Sequence, residues 1–216
     1  MRLYVIGASG GVGQPLVAEA IARGHEVTAH VRPSSPVTFP AAVRTVRREL
    51  LEDGALDAIA GHDAVLSCVG GRRKNPANPF SRMLSRHDLV EAVLHKLVPA
   101  MMQQSVARVL VVSAGGVGDS SAGLNWMMRA LLALSQVGVA YQDLDKAEGV
   151  LASSSLDWLA VRPVTLSNKP AGKPVVEVPT FATTATISRA DVGKYMLDRV
   201  VDKALYDKHS AMIANA

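Results

Sequence analysis

The feature that most constrains this chain lies near its start. The apolar run Leu3-Tyr4-Val5-Ile6 breaks into Gly7-Ala8-Ser9-Gly10-Gly11-Val12-Gly13 and continues into a segment with helical apolar spacing. A β-type run that passes through glycines directly into a helix has few structural solutions. Gly7 permits a turn at positive φ, Gly10 lets backbone approach a ligand with no Cβ in the way, and Gly13 lets the helix start close to the strand. The helix then aims free N–H groups and the positive end of its dipole at whatever fills the turn, which suits a phosphate. The spacing is Gly-x-x-Gly-x-x-Gly, not the Gly-x-Gly-x-x-Gly of the widespread dinucleotide fingerprint.

The rest of the chain alternates in the same way. Leu16, Val17, Ala20 and Ile21 have helical spacing that ends at Arg23-Gly24, where a cation and a glycine suit a helix C-terminus. Strands are expected over 25–31, 43–46, 64–69, 108–112 and 156–161, and the nearly continuous apolar run at 64–69 reads as a central parallel strand. A helix is expected through Leu56 and Ile59. Another covers 88–104, with Asp88 or Ser85 as cap and a kink at Pro99. Helical patterns over 124–135 and 139–151 follow, and a last helix opens at Ile187 and runs to about 201. Tail strands are expected over 175–178 and 210–213, the latter at an edge. Strand–helix alternation of this kind predicts an α/β fold, a doubly wound parallel sheet in one domain over 1–216, with a small C-terminal extension.

Composition excludes several classes. No run approaches the ~20 uncharged apolar residues of a membrane span, and Met1 leads straight into a strand, so a cytoplasmic protein is expected. The single cysteine, Cys68, leaves no internal disulfide, and no Cys/His cluster has metal-ligand spacing. The net charge of +4 is spread along the chain and aromatics are only 4%, too few for a nucleic-acid stacking platform. A small-molecule partner is expected instead, and the oligomeric state is open.

Ligands of doubly wound sheets sit at the carboxyl ends of the strands, so the residues there are the candidates. The second strand ends in Arg32-Pro33-Ser34-Ser35, where an acidic residue would grip the ribose hydroxyls of NAD. Arg32 offers a guanidinium for a 2′-phosphate, with Ser34 or Ser35 adding a hydroxyl, and this favours NADP(H) over NAD(H). Leu50, with Glu49, flanks the adenine position. Cys68, Val69 and Gly70 end the fourth strand, whereas Arg72-Arg73-Lys74, beside Asn75-Pro76, offers a second phosphate or substrate contact but reads more simply as a solvated loop. Ser113, at the end of the fifth strand, is the best-placed hydroxyl for polarising a carbonyl or steering a nicotinamide amide.

These motifs, with Lys146-Ala-Glu148, Arg162-Pro163 and Ile187-Ser-Arg-Ala-Asp191-Val192, resemble the atypical short-chain dehydrogenase/reductase proteins. The likeness is to their NAD(P)H-binding group, related to NmrA-like and to biliverdin and flavin reductase-type proteins, and implies a Rossmann-type fold. It implies that Gly7, Ser9, Gly10, Gly11, Val12 and Gly13 hold the pyrophosphate, that Arg32 takes the 2′-phosphate and that Leu50 touches adenine. Cys68, Val69 and Gly70 would line the adenosine side. Ser113, Lys146, Pro163, Val164, Thr165 and Leu166 would surround the nicotinamide ribose and ring, with Ser113 and Lys146 as the catalytic candidates.

One departure bears on mechanism. The Tyr-x-x-x-Lys pair typical of the family is absent, because Tyr141 is followed four residues later by Asp145, and Lys146 falls on a different helix face. Flavins and quinones accept hydride without a dedicated enzymic acid. The expectation is therefore an NADPH-dependent reductase of a flat conjugated acceptor such as a flavin, quinone or tetrapyrrole, with Met83, Leu84, Leu124, Trp126 and Met127 as an apolar rim. The alternative is a non-catalytic NADP-binding redox sensor of NmrA-like type; a sugar-nucleotide epimerase or dehydratase is disfavoured by the same missing pair.

Overall fold

The computed structural model describes every residue except Lys203 and Lys208. Its centre is an eight-stranded sheet in the order β3-β2-β1-β4-β5-β6-β10-β8. These strands are β1 (Arg2–Ile6), β2 (Glu26–Val31), β3 (Arg44–Arg47), β4 (Ala64–Ser67), β5 (Arg108–Val112), β6 (Asp157–Pro163), β8 (Val175–Glu177) and β10 (Ser210–Asn215). All run parallel except β8, which pairs antiparallel with β10 at one edge. A small parallel pair, β7 (Thr165–Ser167) and β9 (Thr186–Ser188), stands apart.

Period-two alternation sorts the sheet residues onto two faces. Leu3, Val5, Leu66, Leu110 and Leu159 pack under α1 (Gly13–Ala22) and α5 (Arg189–Val200), while Tyr4, Ile6, Val65, Val109 and Ala160 pack under α2 (Leu89–Gln103) and α4 (Gln136–Ala152). With both faces covered, the central strands bury apolar residues on both sides. The fold is therefore the expected doubly wound parallel α/β sheet. Helix α3 (Trp126–Leu134) lies outside this layer against α4 and buries none of its residues. Among the described residues no helix is long and apolar enough to cross a membrane, and no group of His, Cys, Asp or Glu could hold a metal ion.

Several expectations need correction. The helix through Leu56 and Ile59 shrinks to a single 3₁₀ turn, Asp57–Ile59, because Gly54 at φ +71 breaks the segment into successive turns. β10 is not an edge strand, since β8 adds outside it and leaves it between two partners. Ile187 belongs to β9, and α5 begins two residues later, with the Ser188 hydroxyl accepting from the Asp191 amide. α2 spans Leu89–Gln103 with Pro99 inside it, close to the expected 88–104.

Neither Asp88 nor Ser85 caps α2. Asp88 is held by Arg86 at 2.7 Å, and Ser85 accepts from the Arg72 amide. The acceptor comes instead from α4: the buried Asp143 carboxylate takes the amides of Val90 and Glu91, each at 2.9 Å. Burial pushes the Asp143 pKa up while the two amides oppose that shift. Losing the cap should cost about 1–2 kcal/mol. Asp143→Ala is thus expected to lower the urea midpoint at unchanged m-value, and an unshifted midpoint would remove Asp143 from this role.

Candidate functional site

The glycine loop adopts the geometry its residues dictate. Gly7 sits at φ +72, and a Cβ there would lie 2.8 Å from the Cys68 carbonyl carbon. At Gly13 it would lie 2.4 Å from the Gly7 oxygen, so α1 starts pressed against the exit of β1. The N-terminus of α1 has Val12 at its cap position, no side-chain cap and no acidic residue in its first turn. By contrast α3, α4 and α5 are capped by Asn125, Ser135 and Ser188. The uncapped amides and the helix dipole at α1 therefore face an open crevice, the arrangement that binds a phosphate.

That crevice is a cavity of about 350 Å³. Gly7, Ser9 and Gly10 form its floor, Arg32 and Leu50 one wall, and Cys68, Val69 and Gly70 the other, while Gly11, Val12 and Gly13 form the loop without lining it. Gly70 leaves open space in its Cβ direction. Glu49 lines it beside Leu50, the sequence reading missed His30, Leu51 and Leu89 on the walls, and the exposed Arg72 also borders the cavity. Helical or strand spacing marks such residues only as surface; the crevice forms when β2, β3, β4 and α2 converge.

Charge and hydrogen bonding in the cavity are well defined. Arg32 is half-buried and pairs with no carboxylate among the described residues, whereas the neighbouring Arg86 is neutralised by Asp88. Arg47 donates to the carbonyls of Ser35 and Val37 at 2.8 and 2.7 Å and so fixes the turn after Arg32. His30 Nε2 lies 2.9 Å from the Arg48 carbonyl, which can only accept, so the proton sits on Nε2 and Nδ1 accepts from the Tyr4 hydroxyl. Burial pushes the His30 pKa down, which keeps the ring neutral. Burial also pushes the Cys68 thiol up to about 12, making Cys68 a contact surface and not a nucleophile.

A second group of residues forms at the carboxyl ends of β5 and β6. The Ser113 and Gly115 amides donate to the Val161 and Pro163 carbonyls at 2.7 and 2.9 Å, bringing Ser113 beside the 163–166 segment. Of that segment Val164 is buried, Leu166 packs on the core and Thr165 is exposed; none lines the 350 Å³ cavity. One face of α4, with residues at i, i+4 and i+7, covers the 113–118 loop. Tyr141 donates to the Gly115 carbonyl at 3.1 Å, Asp145 accepts from the Gly118 amide at 3.1 Å, and Glu148 accepts from the Ser113 hydroxyl at 2.5 Å. Arg162, itself buried, grips both Glu148 oxygens at 3.1 and 2.6 Å and also pairs with Asp119. The Arg162 guanidinium holds the Asp119 carboxyl below its ordinary range.

This face corrects the placement of Lys146. Two residues along a helix turn it by about 200°, so with Glu148 facing Ser113, Lys146 faces away. Its ammonium is largely exposed and lies 3.8 Å from Glu91 on α2. Ser113 remains at the loop, but its proton is directed to Glu148, and what its oxygen has left to offer is acceptor capacity. Tyr141 is equally committed, since its proton goes to Gly115 and burial raises its pKa. The polar i, i+4, i+7 spacing of Tyr141, Asp145 and Glu148 is the signal from which this face could have been read.

Beside that loop opens a larger cavity, about 560 Å³, walled by Leu124, Leu132, Ala133 and Tyr141 and floored by Gly116, Val117 and Gly118. The expected apolar rim divides between the cavities. Leu124 lines this one and Leu84 the other, Met83 is buried against Gly71, and Trp126 and Met127 are exposed on α3.

A glycine-floored crevice over the carboxyl ends of β1 and β4, with an uncapped helix start and an unpaired guanidinium, defines a nucleotide-binding protein of the doubly wound class. Residues 7–203 match the family described as NAD(P)H-binding. The chain belongs to that family. It is similar to a Bacillus halodurans protein assigned as an NAD-dependent epimerase/dehydratase, with 26% identity, TM-score 0.77, and 100% of this chain and 94% of that one covered. ChuY of Escherichia coli O157:H7, an anaerobillin reductase, matches with TM-score 0.76 at 19% identity, covering 100% and 97%. A Veillonella parvula short-chain dehydrogenase/reductase in complex with NADP matches with TM-score 0.75 at 17% identity, covering 98% and 93%. The last two likenesses are of fold. Uncharacterized proteins of Mycobacterium bovis and Mycobacterium tuberculosis are 24% identical over 163 residues, 75% of this chain, which spans only 14% of their length.

Proposed function

We propose that this protein is an NADPH-dependent reductase of a flat conjugated acceptor such as a flavin, quinone or tetrapyrrole. The observation that carries this reading is the 560 Å³ cavity beside the 113–118 loop, where the Ser113 hydroxyl and the Tyr141 hydroxyl of α4 both have their protons committed. Neither hydroxyl is free to serve as an acid, which suits acceptors that take hydride without one. Bound NADPH supplies the hydride. The glycine loop and α1 hold its diphosphate, Arg32 its 2′-phosphate, and the Ser113 oxygen accepts from its carboxamide.

Two measurements test the proposal. NADPH is titrated against the protein and its oxidation is followed with flavin, quinone and biliverdin panels. Turnover with at least one acceptor is expected. Tight binding with no oxidation by any of them would replace the reductase with a redox sensor, a reading that the committed protons also favour. Arg32→Asp is expected to weaken NADPH at least about tenfold, as loss of a charge-assisted contact does, while NADH affinity holds. Equal weakening of both would take Arg32 out of the 2′-phosphate site.

A further inference from the structure

Arg189 opens α5, yet its side chain lies across the glycine loop. A Cβ added at Gly11 would come within 2.7 Å of Arg189 Cδ and 3.0 Å of its Nε. The glycine at 11 therefore makes room for this arginine. Arg189 Nη1 donates to Asn168 Oδ1 at 2.6 Å, and no carboxylate pairs with the guanidinium among the described residues. The α5 start is capped by Ser188 and carries the buried Asp191 carboxylate, but the guanidinium lies against the uncapped positive end of α1, an unfavourable place for a cation without an anion beside it.

Packing nevertheless holds it there. Gly193, one helical turn after Arg189, meets α1 so closely that a Cβ would lie 3.0 Å from Leu16 Cβ and 3.1 Å from Leu16 Cα. Close contact at that turn fixes the two helix starts relative to each other and keeps the Arg189 backbone beside the glycine loop, while Asn168 aims the side chain. Two positive features, the Arg189 guanidinium and the uncapped start of α1, thus converge at one side of the glycine loop. An anion with oxygens on both sides satisfies both, and a planar guanidinium presents paired N–H groups matched to phosphate oxygens.

We propose that Arg189, aimed by Asn168, binds the diphosphate of the dinucleotide from the α5 side, facing the amides of the glycine loop. The inference rests on dinucleotide binding at that loop and adds a residue that neither the glycine spacing nor the lining of the 350 Å³ cavity includes. It makes α5 part of the cofactor site.

The test is calorimetric titration of wild type, Arg189→Gln and Arg189→Lys with NADPH, NADH and 2′-AMP. Arg189→Gln is expected to lose about tenfold or more in affinity for NADPH, and the same factor for NADH, because both carry the diphosphate. 2′-AMP keeps the adenosine and 2′-phosphate but has no diphosphate, so its affinity is expected to stay at the wild-type value. Arg189→Lys, which keeps charge and stem, is expected to recover part of the loss and serves where glutamine disturbs α5. The salt dependence of NADPH binding should also flatten in Arg189→Gln. Unchanged NADPH affinity in that variant, or an equal loss for 2′-AMP, overturns the assignment of Arg189. Failure of the wild type to bind either dinucleotide would overturn the cofactor reading itself, a distinct result.

Discussion

Gly13→Ala is expected to abolish dinucleotide binding and to lower the melting temperature by several degrees. An alanine Cβ there would meet the Gly7 oxygen at 2.4 Å, Ala8 Cα at 2.7 Å and the Ala8 carbonyl carbon at 2.8 Å. All three are backbone atoms of the loop, with no flexible side chain to yield. The start of α1 must move away from β1, which loosens the buried contacts of Leu16, Val17 and Ala20 and takes the helix amides out of line with the crevice. Overpacking of this kind costs about 1–3 kcal/mol, or more where backbone is trapped. In a chain of this length each kcal/mol is worth roughly 2–4 °C. Gly70→Ala is the informative companion, because nothing lies within 4 Å of its Cβ direction. It should melt as wild type does and lose affinity only if the cofactor occupies that space. Wild-type binding by Gly13→Ala would show that α1 does not depend on this close approach.

The other large effect is expected at Arg162. Its guanidinium is 6% exposed at the side chain and Glu148 is 9% exposed, so Arg162→Met leaves a carboxylate in the interior without its counter-charge. Breaking a buried pair by removing one partner costs about 3–5 kcal/mol, which corresponds to a fall in melting temperature on the order of 10 °C. The geometry predicts more than a general loss. Gly118 sits at φ +57 with Arg162 Nη2 2.5 Å from its Cβ position, and Asp119 pairs with the same guanidinium. The 113–119 loop is therefore expected to become mobile, and acceptor turnover to fall more than NADPH binding. Arg162→Met combined with Glu148→Leu removes both charges and is expected to restore much of the stability, since apolar replacement of a whole buried pair is often neutral. Equal instability of the double and single variants would assign the cost to lost packing and not to the unpaired charge.

These expectations draw on features of unequal legibility. The glycine loop was readable from Leu3 to Gly13 because strand, turn and helix start are local, and Gly7 and Gly13 meet atoms a few residues away or on the adjoining strand. The alternation of β1, β4 and β5 was readable for the same reason, and Arg32 because it lies a fixed distance after β2. α4 was readable as a helix but not in phase. Tyr141, Asp145, Lys146 and Glu148 are all polar, and only the seating of α4 on β5 and α2 sends Glu148 to Ser113 and Lys146 to Glu91. Asp143 was passed over as a cap because it serves a helix more than fifty residues away in sequence.

What the sequence by itself determined is the glycine turn between β1 and α1, the doubly wound class and the identity of the residues at the strand ends, all set by backbone freedom and short-range periodicity. Tertiary structure alone decided which charges meet. The Ser113–Glu148–Arg162 network, the insertion of β10 between β6 and β8, and Arg189 over Gly11 join segments far apart in the chain. No local preference encodes such contacts, because they follow from how helices rotate and settle on a completed sheet.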